Sequence, residues 1–346
     1  MWFGSDNNAG MAPEVLAALG RVNEGWTPAY GADDVTKRAA DMIRERFEAP
    51  DAAVYFVATG TAANSLALAC LSPAWGGIYC HQAAHIEVDE CHAPEFYTGG
   101  AKLVHVEGDH GRMTPETLSS RMAKTPHGDV HCTQHGALSI TNATEAGTIY
   151  RPDDLKALTA IARDAGIGVH LDGTRFFYAC AATGLSPAEM SWKAGVDILC
   201  LGASKNGGLA AEAVIIFDPA KAWEFELRRK RAGHLFSKMR FLSAQFEAMM
   251  TGDLWRTLAQ TGIDRAAYLA EGLRRIDHVG FVDPVEINLI FVTMPRAAHK
   301  AARAAGAYYA LVGDLDDPDD EALTCRFVCS HQTTEAEIDA FLKVVA

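Results

Sequence analysis

The sequence predicts an α/β protein in which a mostly parallel sheet is covered on both faces by helices and is followed by a smaller α+β domain. From about residue 50, short β-rich runs alternate with helical stretches, as in a parallel sheet with crossover helices. Several predicted strands are apolar throughout, which burial on both faces requires. After Asp218 the pattern becomes helical, and we place one domain at 1–249 and a second at 250–346.

The strands of the large domain are predicted in a regular series. They are AAVYFVAT (52–59), GIYC (77–80), KLVHV (102–106), ALSIT (137–141), GVHLD (168–172), DILCLG (197–202) and AVIIFD (213–218). RPDDLKALTAIARDAG (151–166) has apolar residues at helical spacing and predicts a crossover helix. Parallel sheets of this kind carry their functional groups at the carboxyl ends of strands, where Asp172 and Lys205 both fall.

The rest of the chain predicts the smaller domain. A helical region covers about 219–275, and after it come the strand EINLIFVTM, a helix at RAAHKAARAAG, the strand LTCRFVCS and a closing helix from TTEAEID. In LTCRFVCS, apolar residues alternate with Arg326, so the guanidinium should point away from the packed face. The acidic run GDLDDPDDEA predicts a solvated loop.

Composition restricts the classes of partner. The formal net charge of -13 argues against nucleic acid or an anionic membrane. The N-terminal MWFGSDNNAG does not resemble a signal peptide, and no apolar run reaches the roughly 18 residues of a membrane helix. The eight cysteines show no CxxC spacing, and most lie in apolar runs. We therefore expect a reduced, cytoplasmic protein.

The first candidate motif is GTAAN, which lies between a strand and a helix. Gly60 and Thr61 would place backbone N–H groups and a hydroxyl at a helix N-terminus, where anions bind. The same arrangement is also typical of ordinary helix capping. The motif matches neither GxxxxGK[ST] nor GxGxxG, so those nucleotide sites are not supported.

The second motif is HQAAHIEVDECH. If it is helical, His81, His85 and Asp89 share one face, and a zinc or iron site is conceivable. HxxxH without the glutamate of HExxH is not a metalloprotease signature, and no distant ligand presents itself. The sharper hypothesis is that His85 is a catalytic or ring-stacking group, because histidine titrates near neutral pH.

Two further motifs follow consecutive predicted strands. In LDGTRF, Asp172 could cap a turn or pair with Arg175, or it could hold a cationic ring nitrogen while Arg175 stays free to bind an oxyanion. In LGASKNGG, Lys205 could extend to water, or it could be desolvated and form a Schiff base. The two glycines after it indicate crowded backbone, where room is made for a ligand. Phosphate anchor, ring stack, pyridinium partner and imine lysine together indicate pyridoxal phosphate chemistry.

The sequence resembles the low-specificity L-threonine aldolases, which are pyridoxal phosphate enzymes of fold type I, the aspartate-aminotransferase-like fold. The similar segments are spread over nearly the whole chain and include AYGADDVTKRA, TGTAANSLAL, AHIEVDECHAPEF, HLDGTRF, WKAGVDILCLGASKNG, AGHLFSKMRFLSAQ and CRFVCS. The resemblance implies a seven-stranded, mostly parallel sheet between helices, with a smaller C-terminal α+β domain and no metal.

The resemblance also implies roles for the cofactor-binding residues. Lys205 would hold the cofactor as a Schiff base, Asp172 would pair with its pyridine nitrogen, and His85 would stack on its ring. The remaining contacts to the cofactor would come from Gly60, Thr61, Arg175 and Ser204, helped at the phosphate by Lys238 or Arg240 of a neighbouring subunit.

For the substrate, the resemblance implies an amino acid whose carboxylate is bound by Ser5, Arg175 and Arg326. Tyr30 would enter from the partner chain, because sites of this fold lie at a dimer interface and these aldolases resemble dimers of dimers. The implied reaction is a retro-aldol cleavage of L-threonine or L-allo-threonine to glycine and an aldehyde.

One segment departs from the family pattern. Where many threonine aldolases have a histidine near the substrate hydroxyl, this chain has ATEAG, with Glu145 in its place. The general base is then His85, with Asp89 orienting it, or alternatively Glu145 or His131. The alternative functions are an aldolase that prefers phenylserine, a β-eliminating lyase, a metal-dependent hydrolase using His81, His85 and Asp89, and a non-catalytic binder.

Overall fold

The computed structural model describes residues 1–316 and 321–346. Across these residues, strands β1 to β7 form one sheet in the order β1-β7-β6-β5-β4-β2-β3. Their bounds are β1 Ala53–Val57, β2 Gly76–His81, β3 Lys102–Val106, β4 Gln134–Thr141, β5 Gly168–Gly173, β6 Ile198–Gly202 and β7 Glu212–Ile216. Strands β2 to β6 pair in parallel, and β7 is antiparallel to both β6 and β1. The predicted strands and the mostly parallel sheet are confirmed, with small shifts at their ends.

Helices flank and connect these strands. Their bounds are α1 Pro13–Val22, α2 Asp34–Arg46, α3 Gly60–Leu71, α4 His85–Val88, α5 Ala93–Thr98, α6 Pro115–Ala123, α7 Pro152–Asp164, α8 Phe176–Thr183, α9 Ala222–Arg231, α10 Arg240–Met250, α11 Leu254–Leu273, α12 Arg296–Ala304 and α13 Glu335–Val345. The crossover helix predicted between the fourth and fifth strands is α7. The helical region predicted at 219–275 is divided into α9, α10 and α11.

Strand β6 shows why its sequence is apolar throughout. Leu199 and Leu201 lie in the hydrophobic cluster that includes residues of α7, α8 and α10. Ile198 and Cys200 lie in a second cluster, on the other face, with residues of α3 and α9. Because successive side chains of a strand point to opposite faces, a sheet covered on both sides needs apolar residues at every position.

The C-terminal part forms a smaller antiparallel sheet in the order β10-β11-β9-β8. Its strands are β8 Gly280–Phe281, β9 Leu289–Pro295, β10 Ala310–Val312 and β11 Ala322–Val328. In β11, Leu323, Cys325 and Phe327 are buried while Arg326 is only partly buried, which confirms the predicted alternation. Residues 317–320 of the predicted acidic loop lie outside the described residues.

The first residues of the chain pack on this smaller sheet. The Phe3 side chain lies in its hydrophobic cluster, and the Phe3 N–H donates to the Tyr308 carbonyl at 2.7 Å. The Val328 N–H donates in turn to the Phe3 carbonyl at 2.8 Å. The division at 249/250 remains a prediction. Among the described residues, no helix is long and apolar enough to cross a membrane.

Replacement of Phe327 with alanine should destabilise the protein, because its ring is fully buried against Tyr309 at 4.8 Å and Phe341 at 5.0 Å between centroids. Loss of such a ring costs about 3–5 kcal/mol. Urea unfolding followed by intrinsic fluorescence measures the change. The control Phe96→Ala removes a ring that is 77% exposed and should cost far less. Equal losses in both variants would contradict the assigned core.

Candidate active site

A cavity of about 360 Å³ lies at the carboxyl edge of the large sheet. Its walls include the start of α3, His85, Lys205 and Glu212. Asp172 lies in β5, and Lys205 follows β6 directly in a short 3₁₀ turn. Because β5 and β6 are parallel neighbours, their ends bring the two residues to one edge, as the sequence predicts.

Lys205 is partly buried at this cavity. Among the described residues, no carboxylate lies within 4.0 Å of its Nζ atom. Burial lowers the pKa of Lys205 from its ordinary value, and the positive charge of Arg175 acts in the same direction. A lysine with a lowered pKa has a larger fraction of nucleophilic amine at neutral pH.

The backbone at the glycines after Lys205 is crowded, as predicted, but the crowding comes from the chain itself and not from space left for a ligand. Gly207 has φ +89°, and a Cβ atom there would meet Leu258 at 3.1 Å and Ala12 at 3.2 Å. A Cβ on Gly208 would lie 2.9 Å from the Ala203 carbonyl oxygen. Both glycines are therefore required by the packing of the chain on itself.

Asp172 is buried and accepts hydrogen bonds at both carboxylate oxygens. Oδ1 accepts from the Thr174 N–H at 3.0 Å and the Thr174 hydroxyl at 2.6 Å, and Oδ2 accepts from Asn64 Nδ2 at 3.0 Å. Burial favours a higher pKa, but the hydrogen bonds donated by Thr174 help to hold the pKa of Asp172 below its ordinary value. The capping alternative is thus correct for Oδ1, while pairing with Arg175 is wrong.

His85 is held by a carboxylate that sequence reasoning missed. His85 Nδ1 lies 2.8 Å from Oε1 of the buried Glu90, whereas Nε2 lies 3.5 Å from Oδ2 of the mostly exposed Asp89. The hydrogen bond to Glu90 raises the pKa of His85, although burial opposes it. The expected orienting role of Asp89 therefore falls chiefly to Glu90, its neighbour in the chain. Glu90 has no motif of its own that would have marked it.

One amide joins the two acidic groups. Asn64 Nδ2, on α3, donates to Glu90 Oε1 at 2.9 Å as well as to Asp172 Oδ2. His85, Glu90, Asn64 and Asp172 thus form a continuous hydrogen-bonded series along the cavity. Asn64, the last residue of the GTAAN motif, is therefore part of the site, although sequence analysis did not select it.

The predicted role of Arg175 as an oxyanion-binding group requires a free guanidinium. In the structure, most of this guanidinium is already engaged. Its Nε and Nη2 donate to the two carboxylate oxygens of Asp6 at 2.9 and 3.1 Å, and both side chains are buried. Glu145 Oε2 lies 3.7 Å from Nη1. Burial disfavours the charged guanidinium, but the negative charges of Asp6 and Glu145 raise the pKa of Arg175 overall. Asp6 was missed because it is far from Arg175 in the sequence.

Arg326 contacts the N-terminal segment that supplies Asp6, and Ser5 belongs to that segment. Arg326 Nη2 donates to the Gly4 carbonyl at 3.2 Å, and the Ser5 hydroxyl accepts from the Asn7 N–H at 3.1 Å. Burial and the neighbouring charge of Arg175 lower the pKa of Arg326. The N-terminal segment therefore connects the two arginines that were predicted to bind a substrate carboxylate.

The predicted phosphate contacts lie at the start of α3. Thr59 is the N-cap, and its hydroxyl accepts from the Ala62 N–H at 3.2 Å, so Gly60 and Thr61 line the cavity without serving as the cap. The Ser204 hydroxyl donates to Oε1 of the buried Glu212 at 2.6 Å. Burial raises the pKa of Glu212 to about 7. Ser204 is thus already engaged by an acid that the sequence did not reveal.

The residues predicted to act from a partner chain lie outside this cavity in one chain. Tyr30 is exposed, has φ +59°, and lies with its ring 5.3 Å from Lys230 Nζ. Lys238 is exposed, whereas Arg240 Nε donates to the Val22 carbonyl at 2.8 Å.

The helical premise of the metal-site alternative is wrong. His81 ends β2, and α4 contains only four residues from His85, so the three residues do not share a helix face. His81 Nε2 lies 3.0 Å from the Gly108 carbonyl, and Nδ1 accepts from the Ala83 N–H. Over 1–316 and 321–346, no group of three or more His, Cys, Asp or Glu could hold a metal ion.

His131 is also wrong as a candidate base. It lies in the exposed loop that precedes β4, where its N–H donates to Asp129 Oδ1 at 2.9 Å. This loop is at the amino edge of the parallel strands, opposite the cavity. Glu145, in contrast, lines a second cavity together with His85 and Arg326.

The fold and the partly buried lysine at a strand end define the class of protein. The fold is that of the pyridoxal phosphate enzymes of fold type I, and the fold of the Sphingomonas wittichii serine palmitoyltransferase superposes with a TM-score of 0.71 at 16% identity, over 100% of this chain and 86% of that one. A Leishmania major threonine aldolase superposes with a TM-score of 0.92 at 28% identity, over 99% of this chain and 98% of that one.

Sequence comparison gives the family. The model of the beta-eliminating lyase family matches residues 3–297. The low specificity L-threonine aldolase of Pseudomonas aeruginosa is 42% identical over 332 residues, which cover 96% of this chain and 93% of the relative. That of a Pseudomonas species is 41% identical over 337 residues, covering 97% and 94%. The chain belongs to the low-specificity L-threonine aldolases within the beta-eliminating lyase family, and is thus a lyase.

Substitution of Asp6 by asparagine should destabilise the protein by about 3 kcal/mol, because it leaves the buried Arg175 guanidinium without its counter-charge. The urea midpoint measures this loss. The matched control is Asp41→Asn, which breaks a surface pair with Arg44 and should cost less than about 1 kcal/mol. A loss for Asp6→Asn no larger than the control would show that the buried pair is not a stabilising ion pair.

His170 should make folding stability depend on pH. It is fully buried, and burial lowers its pKa to about 4 from an ordinary value of 6.5. Between these pH values the unfolded chain binds a proton at His170 and the folded chain does not, so stability rises with pH by about 3 kcal/mol over this range. Urea midpoints between pH 4 and 7 should show this rise. It should flatten in His170→Gln, and an unchanged slope there would contradict the assignment.

Proposed function

We propose that this chain binds pyridoxal 5'-phosphate through Lys205 and cleaves L-threonine and L-allo-threonine to glycine and acetaldehyde. The observation that carries the proposal is the arrangement of the cavity: a partly buried lysine, which has no carboxylate partner in the part of the chain that the structure describes, shares it with the buried carboxylate network of Asp172. The names of the related aldolases support the same reaction.

The residues present fit this cofactor. The start of α3 offers backbone N–H groups to a phosphate, since a helix N-terminus favours anions. Asp172 keeps a lowered pKa, so it remains an anion that can accept a hydrogen bond from a protonated pyridine nitrogen. Lys205 has the lowered pKa that a Schiff-base lysine needs. When bound, the cofactor supplies a sink for the electron pair that is released as the Cα–Cβ bond breaks.

His85 is our candidate for the general base. With Nδ1 donating to Glu90, the neutral imidazole leaves Nε2 without a proton and able to accept one. Nε2 would take the proton of the β-hydroxyl group as the carbon–carbon bond breaks. Glu90 stabilises the imidazolium that forms, since its carboxylate stays within hydrogen-bonding distance. Glu145 is the alternative base, because it lines the second cavity with His85.

The substrate carboxylate would be bound by Arg326, Arg175 and Ser5. Arg326 is the freer of the two arginines, because its Nη2 donates to one carbonyl and its buried Nε has no partner among the described residues. Arg175 would contribute Nη1, with Asp6 holding the guanidinium in place. Fixing the carboxylate lets the Cα–Cβ bond be held in one orientation, which is a positioning effect.

We further propose a cytoplasmic homotetramer with active sites at a dimer interface. The exposed Tyr30 and Lys238 are available to a neighbouring subunit. The eight free cysteines favour a reducing compartment.

Two alternatives within the family are an aldolase that prefers phenylserine and a lyase that eliminates the β-hydroxyl group. The description of the family model favours the second.

Lys205→Ala should abolish both cofactor attachment and cleavage. The wild-type protein should show the visible absorption band of lysine-bound pyridoxal phosphate, and borohydride reduction should fix the label on the peptide that contains Lys205. In Lys205→Ala the band should disappear and kcat fall by roughly three orders of magnitude or more. Lys193→Ala, which changes a surface lysine paired with Glu48, is the control. A wild-type protein that takes up no pyridoxal phosphate would refute the proposal.

Product analysis should then separate the reactions. The aldolase forms glycine and acetaldehyde from L-threonine, whereas elimination forms 2-oxobutanoate and ammonia. Values of kcat/KM for L-threonine, L-allo-threonine and both phenylserine diastereomers rank the substrates. Strong activity on serine together with none on these four compounds would overturn the aldolase assignment.

A further inference from the structure

A second cavity of about 390 Å³ adjoins the first and shares His85 with it. We call it the β-side cavity; its wall also includes Glu145 and Arg326. Under the proposed function, Arg326 binds the α-carboxylate and His85 acts at the β-hydroxyl group. The substrate atoms beyond the β-carbon would therefore lie in this cavity.

Part of the wall suits an organic substituent. Ala83, Val88, Ala146 and Phe291 contribute apolar side chains to it. Its volume is comparable to that of the cavity that contains Lys205. A β-substituent larger than the methyl group of threonine can thus be accommodated by contact with apolar groups.

The rest of the wall is acidic. Asp89 lies beside His85, Glu145 Oε2 lies 3.7 Å from Arg175 Nη1, and Asp283 is largely buried. The negative charges of Asp89 and Glu145 also act on Arg326, although burial and Arg175 dominate its lowered pKa.

The arginine and the two histidines near this wall already have carboxylate partners. Arg175 is bound to Asp6 through two hydrogen bonds, and His85 lies 2.8 Å from Glu90. His110 Nδ1 lies 2.8 Å from Asp283 Oδ1. Among the described residues of the wall, Arg326 is the one arginine or lysine, and under the proposed function the α-carboxylate of the substrate neutralises it.

We propose that the β-side cavity selects β-hydroxy-α-amino acids whose β-substituent is neutral or cationic, and that it rejects those carrying a second carboxylate. The proposal rests on the proposed function, because it uses the placement of the α-carboxylate at Arg326. Once Arg326 holds the α-carboxylate, a second anion in this cavity would meet Asp89, Glu145 and Asp283, and the described residues of the wall offer no further free cation to pair with it. A cation would gain from the same three groups.

The test compares 4-nitrophenylserine with 4-carboxyphenylserine, as the same diastereomer. The nitro and carboxylate groups have nearly the same planar shape, but only the carboxylate is charged. We expect kcat/KM to be at least about tenfold higher for the nitro compound, as repulsion between charges near a protein surface implies. 4-(Aminomethyl)phenylserine, which carries a cation, should be cleaved at least as well as the nitro compound.

A binding measurement avoids dependence on turnover. 4-Nitrophenylalanine and 4-carboxyphenylalanine lack the β-hydroxyl group and cannot undergo retro-aldol cleavage, so calorimetry of the holoenzyme gives their Kd values. The nitro compound should again bind at least about tenfold more tightly.

Variants assign the effect to the acidic wall. In Asp283→Asn and in Asp89→Asn, the ratio of nitro to carboxylate compound should fall by at least about threefold in Kd and in kcat/KM. The matched control is Asp153→Asn, which removes a negative charge from an exposed position on α7 and should leave both ratios unchanged.

The failures are distinguishable. If threonine is cleaved but the nitro and carboxylate compounds differ by less than about twofold, the inference is wrong and the proposed function stands. A large ratio that persists in both variants also overturns the inference, because the carboxylates then do not cause it. If no β-hydroxy-α-amino acid is cleaved, the proposed function fails, and the Kd ratio alone decides whether the cavity rejects anions.

Discussion

The buried ion pair between Arg175 and Asp6 ties the start of the chain to the carboxyl edge of the large sheet. Both side chains are almost fully buried, so neither charge is tolerable without the other. The segment that supplies Asp6 also supplies Phe3 to the core of the smaller sheet and the Gly4 carbonyl to Arg326. One short segment thereby sets the positions of both arginines that we propose to bind the substrate.

The opposite side of the site depends on a shared amide. Asn64 donates to Glu90 and to Asp172, and thereby links the residue that holds His85 to the residue that we expect to hold the cofactor nitrogen. Because Asp172 is surrounded by donors, it keeps a lowered pKa despite burial. Lys205 has no carboxylate partner within 4.0 Å among the described residues, and burial lowers its pKa. The contrast between these two groups is the electrostatic basis of the proposed chemistry.

The main elements and the edge that carries the site could be predicted from sequence, because apolar periodicity and glycine positions act locally. The errors have physical causes. The crowding at the glycines after Lys205 was attributed to a ligand. It is caused instead by Leu258, which is distant in the sequence, and by Ala203 of the same turn, because both would clash with a Cβ atom at these positions. The metal-site alternative required His81 and His85 to share a helix, but β2 continues to His81. Arg175 was considered either as a partner of Asp172 or as a free guanidinium, because nothing near it in the sequence indicates Asp6.

By itself, the sequence determined the α/β class, the order of the strands along the chain and the position of Asp172 and Lys205 at strand ends. These features follow from local patterns of side chains, and parallel pairing then brings the two ends to one edge. Only the tertiary structure decided which acid holds each cation: Asp6 for Arg175, and Glu90 for His85. Such pairs are selected by burial, because a buried charge needs a partner in space and the partner's place in the chain is unrestricted.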